Sequence, residues 1–150
     1  FPPSACPVPW YLCVALACDV TVAARDAKLA LNFVQLALHP GMGATYLVPR
    51  RVGAQRAAEL LFSGRRFDGA EAARLGLALE AVEPGAALPR ALELARQFAS
   101  GGPLAVRDLK RALGVDREAL QRALAHEAES QARNYASSEF LERLRAAKKR

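Results

Sequence analysis

The stretch Pro40-Gly41-Met42-Gly43-Ala44-Thr45 opens a segment that reads PGMGATYLVPRRVG over residues 40–53. One proline and two glycines within four positions permit backbone geometry that other residues rarely adopt. A loop of this kind, placed before a helical segment, exposes backbone amide groups that can donate to a polar ligand. Gly41 and Gly43 are therefore candidate ligand-binding residues.

The sequence before this loop predicts a buried segment and short strands. Residues 1–12 contain four of the nine prolines and predict an irregular lead-in, because each proline removes a backbone donor. Residues 12–18 are continuously apolar, which is typical of a fully buried helix. Residues 19–22 alternate with β-branched side chains in the manner of a strand. Residues 28–31 can then return as a second short strand after a polar turn.

The sequence after the loop is mostly helical in pattern. The clearest boundary is the D-x-x-E capping box from Asp68 to Glu71, which begins a helix that Gly76 ends. Ser63 and Gly64 mark the end of the helix before it. The further helices are predicted from residue 53, over 88–99, over 103–113, from 116 onward and from 137 or 138 onward.

Two of these helices have an apolar face that we expect to be buried. Asp116 can cap a helix in which Leu120, Leu124 and Ala128 face inward. In the helix over residues 88–99, the apolar positions recur with i, i+3, i+4, i+7 spacing. These positions are Leu88, Ala91, Leu92, Ala95, Phe98 and Ala99.

Length and charge bound the class of protein. With 150 residues and 52% hydrophobic content, the chain is long enough for one globular domain. The 21 Lys and Arg against 15 Asp and Glu give a net charge of +6, which favours anionic partners. Five basic side chains crowd the last ten residues, so an ordinary solvated helix end is the alternative interpretation. A nucleic-acid partner is not expected, because no reading motif or interleaved aromatics accompany the charge.

The cysteines and the apolar run bear on compartment. The three cysteines, Cys6, Cys13 and Cys18, form no C-x-x-C pair and predict neither a disulfide framework nor a metal site. Reduced thiols and a cytoplasmic location follow. The apolar run is interrupted by Pro9 and is shorter than the roughly 20 residues that cross a bilayer, so no membrane partner is expected. No basic n-region precedes it, which argues against secretion.

Two strings of residues carry a resemblance to a known family. Residues 14–29, VALACDVTVAARDAKL, resemble the segment A-L-A-C-D-x-x-x-A-A-x-x-A-x-F. Residues 40–53 resemble P-G-x-G-G-T-x-x-L-x-R-x-V-G, and further matching segments follow in family order at 57–65, 70–77 and 103–106. The chain thus resembles the C-terminal half of the crotonase superfamily, the enoyl-CoA hydratase/isomerase family.

The resemblance implies a fold and a substrate class. The fold is α/β, the C-terminal part of a crotonase-like (ClpP/crotonase) fold, with one or two short strands before a mostly helical region. It divides the chain into an irregular lead-in (1–12), a partial crotonase core (13–87) and a helical trimerisation region (88–150). It also implies an acyl-CoA partner with coenzyme A as part of the substrate, no covalently bound cofactor, no metal, and a homo-trimer or hexamer that acts as a lyase or isomerase in fatty acid metabolism.

Several residues that the family uses are replaced in this chain. The two hydratase glutamates of the family align with Cys13 and Phe33, which can line a substrate site but cannot do carboxylate chemistry. A Gly-Gly-Gly-x-Glu segment that supplies an oxyanion-binding amide aligns with residues 9–13, where no glycine occurs. The mismatch coincides with the proline cluster, and we hypothesise a truncated or misjoined gene product whose resemblance begins near Leu12. An acyl-CoA enzyme of unassigned reaction and a non-catalytic remnant or oligomerisation subunit both stay open.

Three further residues are candidates for the site. His39 abuts the glycine loop and belongs to the residue type that titrates near neutrality, so it is a candidate catalytic group, with loop packing or N-capping as the alternative. Cys13 has apolar neighbours, which favours core packing over a nucleophilic role. The family binds coenzyme A partly through basic residues of its C-terminal helix, and the resemblance assigns that role to Lys148 and Lys149.

Overall fold

The computed structural model describes residues 9–148 of the chain. This part of the chain contains short strands and a larger number of helices, in agreement with the predicted α/β class and mostly helical C-terminal region. The elements are α1 (Pro9–Leu16), β1 (Val22–Ala24), β2 (Leu29–Ala30), a 3-10 helix (Val34–Leu36), α2 (Ala44–Ser63), β3 (Arg66–Phe67), α3 (Gly69–Leu75), β4 (Glu80–Val82), α4 (Ala87–Ala99), α5 (Pro103–Leu113), α6 (Arg117–Tyr135) and α7 (Ser138–Lys148).

Helix α1 begins earlier than predicted. Residues 9–12 were expected to belong to the irregular lead-in, and this prediction is wrong, because they form the first turn of α1. Proline is tolerated in a first turn, where N–H groups have no intrahelical acceptor. Leu12, Cys13 and Leu16 then bury one face of the helix in the core. Residues 1–8 of the predicted lead-in lie outside the described residues.

The strands form two separate pairs. β1 pairs in parallel with β4, and β2 pairs antiparallel with β3. The predicted strand at residues 19–22 is therefore displaced to 22–24, and β2 contacts β3 instead of returning against β1. Thr21 explains part of the shift, because its hydroxyl donates to the Ala15 carbonyl at 2.8 Å and ties the preceding segment to α1.

Helix α2 starts directly after the glycine loop, at Ala44, whereas the sequence pattern predicted a helix only from residue 53. Gly53 has φ 76° and ψ 163° and separates two helical segments, a conformation that L side chains rarely adopt. The predicted end is confirmed, since Gly64 follows Ser63 in the left-handed conformation with φ 57°.

The capping box before α3 is half formed. The Asp68 carboxylate accepts from the Glu71 backbone N–H at 2.7 Å, and Gly76 ends the helix with φ 86°, both as predicted. The Glu71 carboxylate does not reach back, because it accepts from Arg65 Nη2 at 2.8 Å. Arg65 also contacts Glu59 at 2.6 Å, so an ion-pair network replaces the second half of the box.

The core lies between α1, α2, the strands and α3. Its fully buried members include Leu16, Leu31, Val48, Leu60 and Leu77. Helix α6 packs against α2 from the other side of the glycine loop, so the C-terminal region contributes to the same unit. In the described part of the chain, no helix has the length and apolarity needed to cross a membrane.

The predicted helix face is wrong for α4 and only partly right for α6. On α4 only Leu94 is buried, whereas Leu88 and Phe98 of the predicted stripe are exposed. On α6, Leu120 packs against the core as predicted, but Leu124 and Ala128 are exposed. The buried residues of α6 are Glu127 and Ser130. The apolar spacing correctly predicted helices. The buried face of α6 is the one that carries Glu127, which accepts from backbone N–H groups at the start of α2.

Candidate functional site

The glycine loop is organised around one buried carboxylate. Glu127 of α6 is 1% exposed and accepts hydrogen bonds from the Gly43 N–H at 2.7 Å and the Thr45 N–H at 2.9 Å. The Thr45 hydroxyl donates to the same carboxylate at 2.6 Å. The first N–H groups of a helix have no intrahelical partner and lie at the positive end of its dipole, so they suit a negative charge. Glu127 therefore anchors the start of α2.

The contacts of α6 with the loop follow the helical repeat. Gln131, four residues after Glu127, donates through Nε2 to the His39 carbonyl at 3.0 Å. Asn134, three residues later, accepts from the His39 N–H at 2.7 Å. We call Glu127, Gln131 and Asn134 the α6 polar stripe. Because these side chains bind backbone groups on both flanks of the glycines, the stripe fixes the loop's conformation.

The sequence did not reveal Glu127 as a site residue. It is separated from Gly43 by 84 positions, so no local pattern connects the two. The available signal was the i, i+4, i+7 spacing of the α6 polar stripe, which is also typical of a solvated helix face. Backbone donors at the start of α2 required an acceptor, but the sequence alone did not indicate which carboxylate supplies it.

The two glycines have different surroundings. Gly43 has φ 76°, and its N–H is taken by Glu127, so this amide is not exposed to a ligand as the sequence suggested. At Gly41, a Cβ atom would lie 2.4 Å from Gln131 Nε2, so the stripe packs directly on the bare backbone. Gly41 is buried, and among the described residues its N–H has no acceptor. The loop thus retains Gly41 as its candidate amide donor.

Cys13 lies beside the loop. Its Sγ is 4.0 Å from the Gly41 carbonyl oxygen, and the residue is 1% exposed. Burial, and secondly the negative charge of Glu127, raises the pKa of the thiol to about 12. A thiol with this pKa is protonated at neutral pH, so the geometry gives Cys13 a packing role beside the site and no nucleophilic one.

Phe33 belongs to the same buried cluster as Cys13 and comes directly before the 3-10 helix. Its carbonyl accepts from Leu36 N–H at 2.9 Å and Leu38 N–H at 3.1 Å. Ala37 then ends this turn with φ 55°, a left-handed conformation that is uncommon outside glycine. The positions that the resemblance assigns to the two glutamates are thus occupied by a buried thiol and a buried ring.

His39 lies on the opposite flank of the loop and lines a cavity of about 460 Å³. Its Nδ1 is 2.6 Å from the Pro40 carbonyl oxygen, and its ring meets the His126 ring edge to face, with centroids 5.6 Å apart. These contacts match the loop-packing alternative, and its catalytic role stays a prediction. Among the other residues that line this cavity are Val34, Leu38, Thr45, Leu61, Phe62 and Asn134.

The predicted coenzyme A lysines are at the end of the chain. Lys148 is the last residue of α7, and the structure describes only its backbone. Lys149 lies outside the described residues. Helix α7 starts close to the 3-10 helix, where Arg143 Nη1 donates to the Gln35 carbonyl at 3.3 Å. Among the described residues, no group of three or more His, Cys, Asp or Glu is placed to hold a metal ion.

Comparison with known sequences identifies similar proteins. A family profile described as enoyl-CoA hydratase/isomerase matches residues 12–147. The mitochondrial methylglutaconyl-CoA hydratase of Mus musculus is 41% identical over 142 residues, which cover 91% of this chain and 45% of that protein. The mitochondrial enoyl-CoA hydratase domain-containing protein 2 of Mus musculus is 45% identical over 98 residues, or 63% of this chain and 33% of that protein.

Solved structures give the same result. An enoyl-CoA hydratase/isomerase from Pseudoalteromonas atlantica T6c superposes with a TM-score of 0.83 at 30% identity, covering 93% of this chain and 57% of that one. Pseudomonas aeruginosa OdaA superposes with a TM-score of 0.82 at 34% identity and the same coverage. The chain therefore spans less than half the length of these curated relatives and somewhat more than half of these solved chains.

Proposed function

The chain belongs to the enoyl-CoA hydratase/isomerase family, and on that premise we propose that it binds acyl-CoA thioesters at the glycine loop. The proposal rests on the loop, which the α6 polar stripe holds by hydrogen bonds, while the buried Gly41 N–H has no acceptor among the described residues. A fixed amide donor suits a thioester oxygen, because negative charge develops there when an enolate forms. The neighbouring 460 Å³ cavity has the size and mostly apolar lining of a small-ligand site.

Hydration of an enoyl group is not part of the proposal. A hydratase needs carboxylates to handle water and the α-proton, and Cys13 and Phe33 supply none. Crotonyl-CoA should therefore bind without measurable turnover in this chain. An assay that follows loss of the enoyl absorbance tests this, and turnover abolished only by Cys13→Ala or His39→Ala would contradict it.

Binding is tested by calorimetric titration with coenzyme A and crotonyl-CoA. We expect saturable binding that the Lys148→Ala, Lys149→Ala double variant weakens, and that fades with salt because exposed charges are screened over about 8 Å at physiological ionic strength. Arg74→Ala with Arg96→Ala removes the same charge from exposed positions outside α7 and serves as the control. Coenzyme A binding that the Lys148→Ala, Lys149→Ala variant leaves unchanged would contradict this site.

A second candidate function is that of a non-catalytic oligomerisation subunit. It is favoured by the apolar side chains of α4 and α5 that are exposed among residues 9–148. Contiguous apolar patches of this kind are typical of protein interfaces, and closed symmetric oligomers are the usual outcome. We propose a homo-trimer or hexamer, and sedimentation of the purified chain tests it. A well-folded monomer at high concentration would contradict the proposal.

A further inference from the structure

A second cavity, of about 970 Å³, lies at the C-terminal end of α1 and is closed by α2, α5 and the start of α6. Its walls are strongly cationic, and Asp19 is the one acidic residue among the lining residues of the described chain. The basic side chains are Arg50 and Arg51 on α2, Arg107, Lys110 and Arg111 on α5, and Arg117 on α6. We call these six residues the basic cluster.

Most of this charge is not neutralised within the described chain. Arg51 donates to the carbonyls of Leu16 at 3.2 Å and Asp19 at 3.3 Å, and also to that of Cys18; carbonyls hold it in place without cancelling its charge. Lys110 pairs with the Asp19 carboxylate. Arg107 and Arg111 share the Asp108 carboxylate, at 3.7 and 3.6 Å.

Three members of the basic cluster, Arg50, Arg51 and Arg117, have no acidic partner among residues 9–148. Arg50 lies over the Tyr46 ring, 5.2 Å from its centroid, and Arg117 makes no ion pair. The six cations therefore meet only two carboxylates, Asp19 and Asp108. Positive charge concentrated in a concave site raises the local concentration of anions.

The floor of the cavity is apolar. Leu16, Leu47 and Leu120 line it, and they separate it from the glycine loop. Leu120 Cδ1 and Leu47 Cδ1 lie 2.9 and 3.3 Å from the point that a Cβ on Gly43 would occupy. The cavity is thus a different place from the proposed thioester site, on the other side of these leucines.

We propose that this cavity binds a phosphate-bearing small molecule, with a diphosphate or triphosphate group among the arginines and an uncharged part against the leucine floor. Guanidinium groups present paired N–H donors that match phosphate oxygens, and five of the six cations are arginines. The volume lies within the range of about 300–1,000 Å³ that small-molecule sites occupy. This site is separate from the glycine loop and does not depend on thioester binding there.

Titration calorimetry with inorganic pyrophosphate tests the proposal on the full chain. We expect one saturable site whose affinity falls with salt. Arg50→Gln with Arg117→Gln should weaken it by about tenfold or more, because each change removes a charge-assisted contact. Arg74→Gln with Arg96→Gln removes the same net charge outside the cavity and should change the affinity by less than about twofold. Arg111→Gln is the replacement variant if circular dichroism shows that the double variant is unfolded.

Competition against bound pyrophosphate identifies which molecule supplies the phosphate group. If coenzyme A displaces pyrophosphate, its own diphosphate is the ligand, whereas displacement only by a nucleoside diphosphate identifies a separate ligand. Either result supports the site. No saturable heat, or equal losses in the cavity and control variants, would overturn it. The Lys148 and Lys149 variants report on the acyl-CoA site independently, so failure of one proposal is distinguishable from failure of the other.

Discussion

Helices α5 and α6 are neighbours in sequence, yet they use their faces in opposite ways. Helix α6 buries a carboxylate and a hydroxyl, Glu127 and Ser130, whereas α5 exposes Leu104, Leu109 and Leu113. A buried charge is stable only where donors meet it, and α2 supplies them within the same chain. An exposed apolar face has no such requirement and is stabilised when another surface covers it. Amphipathic spacing therefore does not determine which face is buried; the available partner does.

Removing the buried Glu127 carboxylate should have the largest effect on stability. We expect Glu127→Ala to lower the free energy of unfolding by about 3–5 kcal/mol, because three donors that a charge now satisfies would be buried without an acceptor. Urea denaturation followed by circular dichroism measures the loss. Glu129→Ala removes an exposed carboxylate from the same helix and is the control. A loss below about 1 kcal/mol would mean that water replaces the carboxylate at no great cost.

Replacing glycine by alanine at a tightly packed position and at an open position compares the two kinds of packing. A Cβ on Gly69 would lie 1.8 Å from the Ala24 carbonyl oxygen, so α3 and β1 must separate in Gly69→Ala. We expect a loss of about 1–3 kcal/mol. Gly102, between α4 and α5, has φ −59° and no atom within 4 Å of its Cβ position, so Gly102→Ala should change stability by less than about 0.5 kcal/mol. Thermal unfolding of both variants decides it, and equal losses would contradict the difference.

Charged substitutions on α5 test whether its exposed apolar face mediates self-association. Leu109→Glu with Leu113→Glu should abolish self-association while leaving the stability of the monomer within about 0.5 kcal/mol, since both side chains are exposed. Analytical ultracentrifugation measures the assembly and urea denaturation the stability. Leu79→Glu, at an exposed apolar position outside these helices, is the control. Unfolding of the α5 variant would show that the chain itself covers this face.

The smallest effect concerns the thiol beside the glycine loop. With a pKa of about 12, Cys13 has a thiolate fraction on the order of 10⁻⁴ at pH 8, so it should not react with iodoacetamide in the folded Cys6→Ala, Cys18→Ala variant. The same shift predicts that stability falls as pH rises above about 9, because the unfolded thiol ionises there and the folded one does not until about 12. Mass spectrometry of labelled protein checks the first statement. Rapid labelling at pH 8 would contradict the burial.

Local patterns predicted much of this fold. The helix ends depend on residues that are close together in sequence. The C-caps at Gly64 and Gly76 are present as predicted, and the capping box at Asp68 is half formed. Strand pairing could not be predicted in the same way, because β1 and β4 pair although α2 and α3 separate them in the sequence.

The candidate site shows the same division. The sequence analysis assigned Cys13, Gly41 and Gly43 to substrate binding, and the structure places the Cys13 Sγ 4.0 Å from the Gly41 carbonyl oxygen. Glu127 was missed because its role depends on amides far away in the sequence, and polar spacing on α6 is equally typical of a solvated face. Whether His39 is more than a packing residue depends on a bound substrate, which a sequence pattern cannot supply.

The Glu127 anchor also constrains the order in which the chain folds. The amides of Gly43 and Thr45 donate to a residue more than 80 positions later in the sequence. Contacts between residues so far apart form slowly, because the chain loses loop entropy before the hydrogen bonds are gained. Because α1 and α2 are in contact, we expect the rest of α2 to pack against α1 before α6 docks. Hydrogen exchange at these two amides therefore reports the docking of α6, separately from the unfolding of the core.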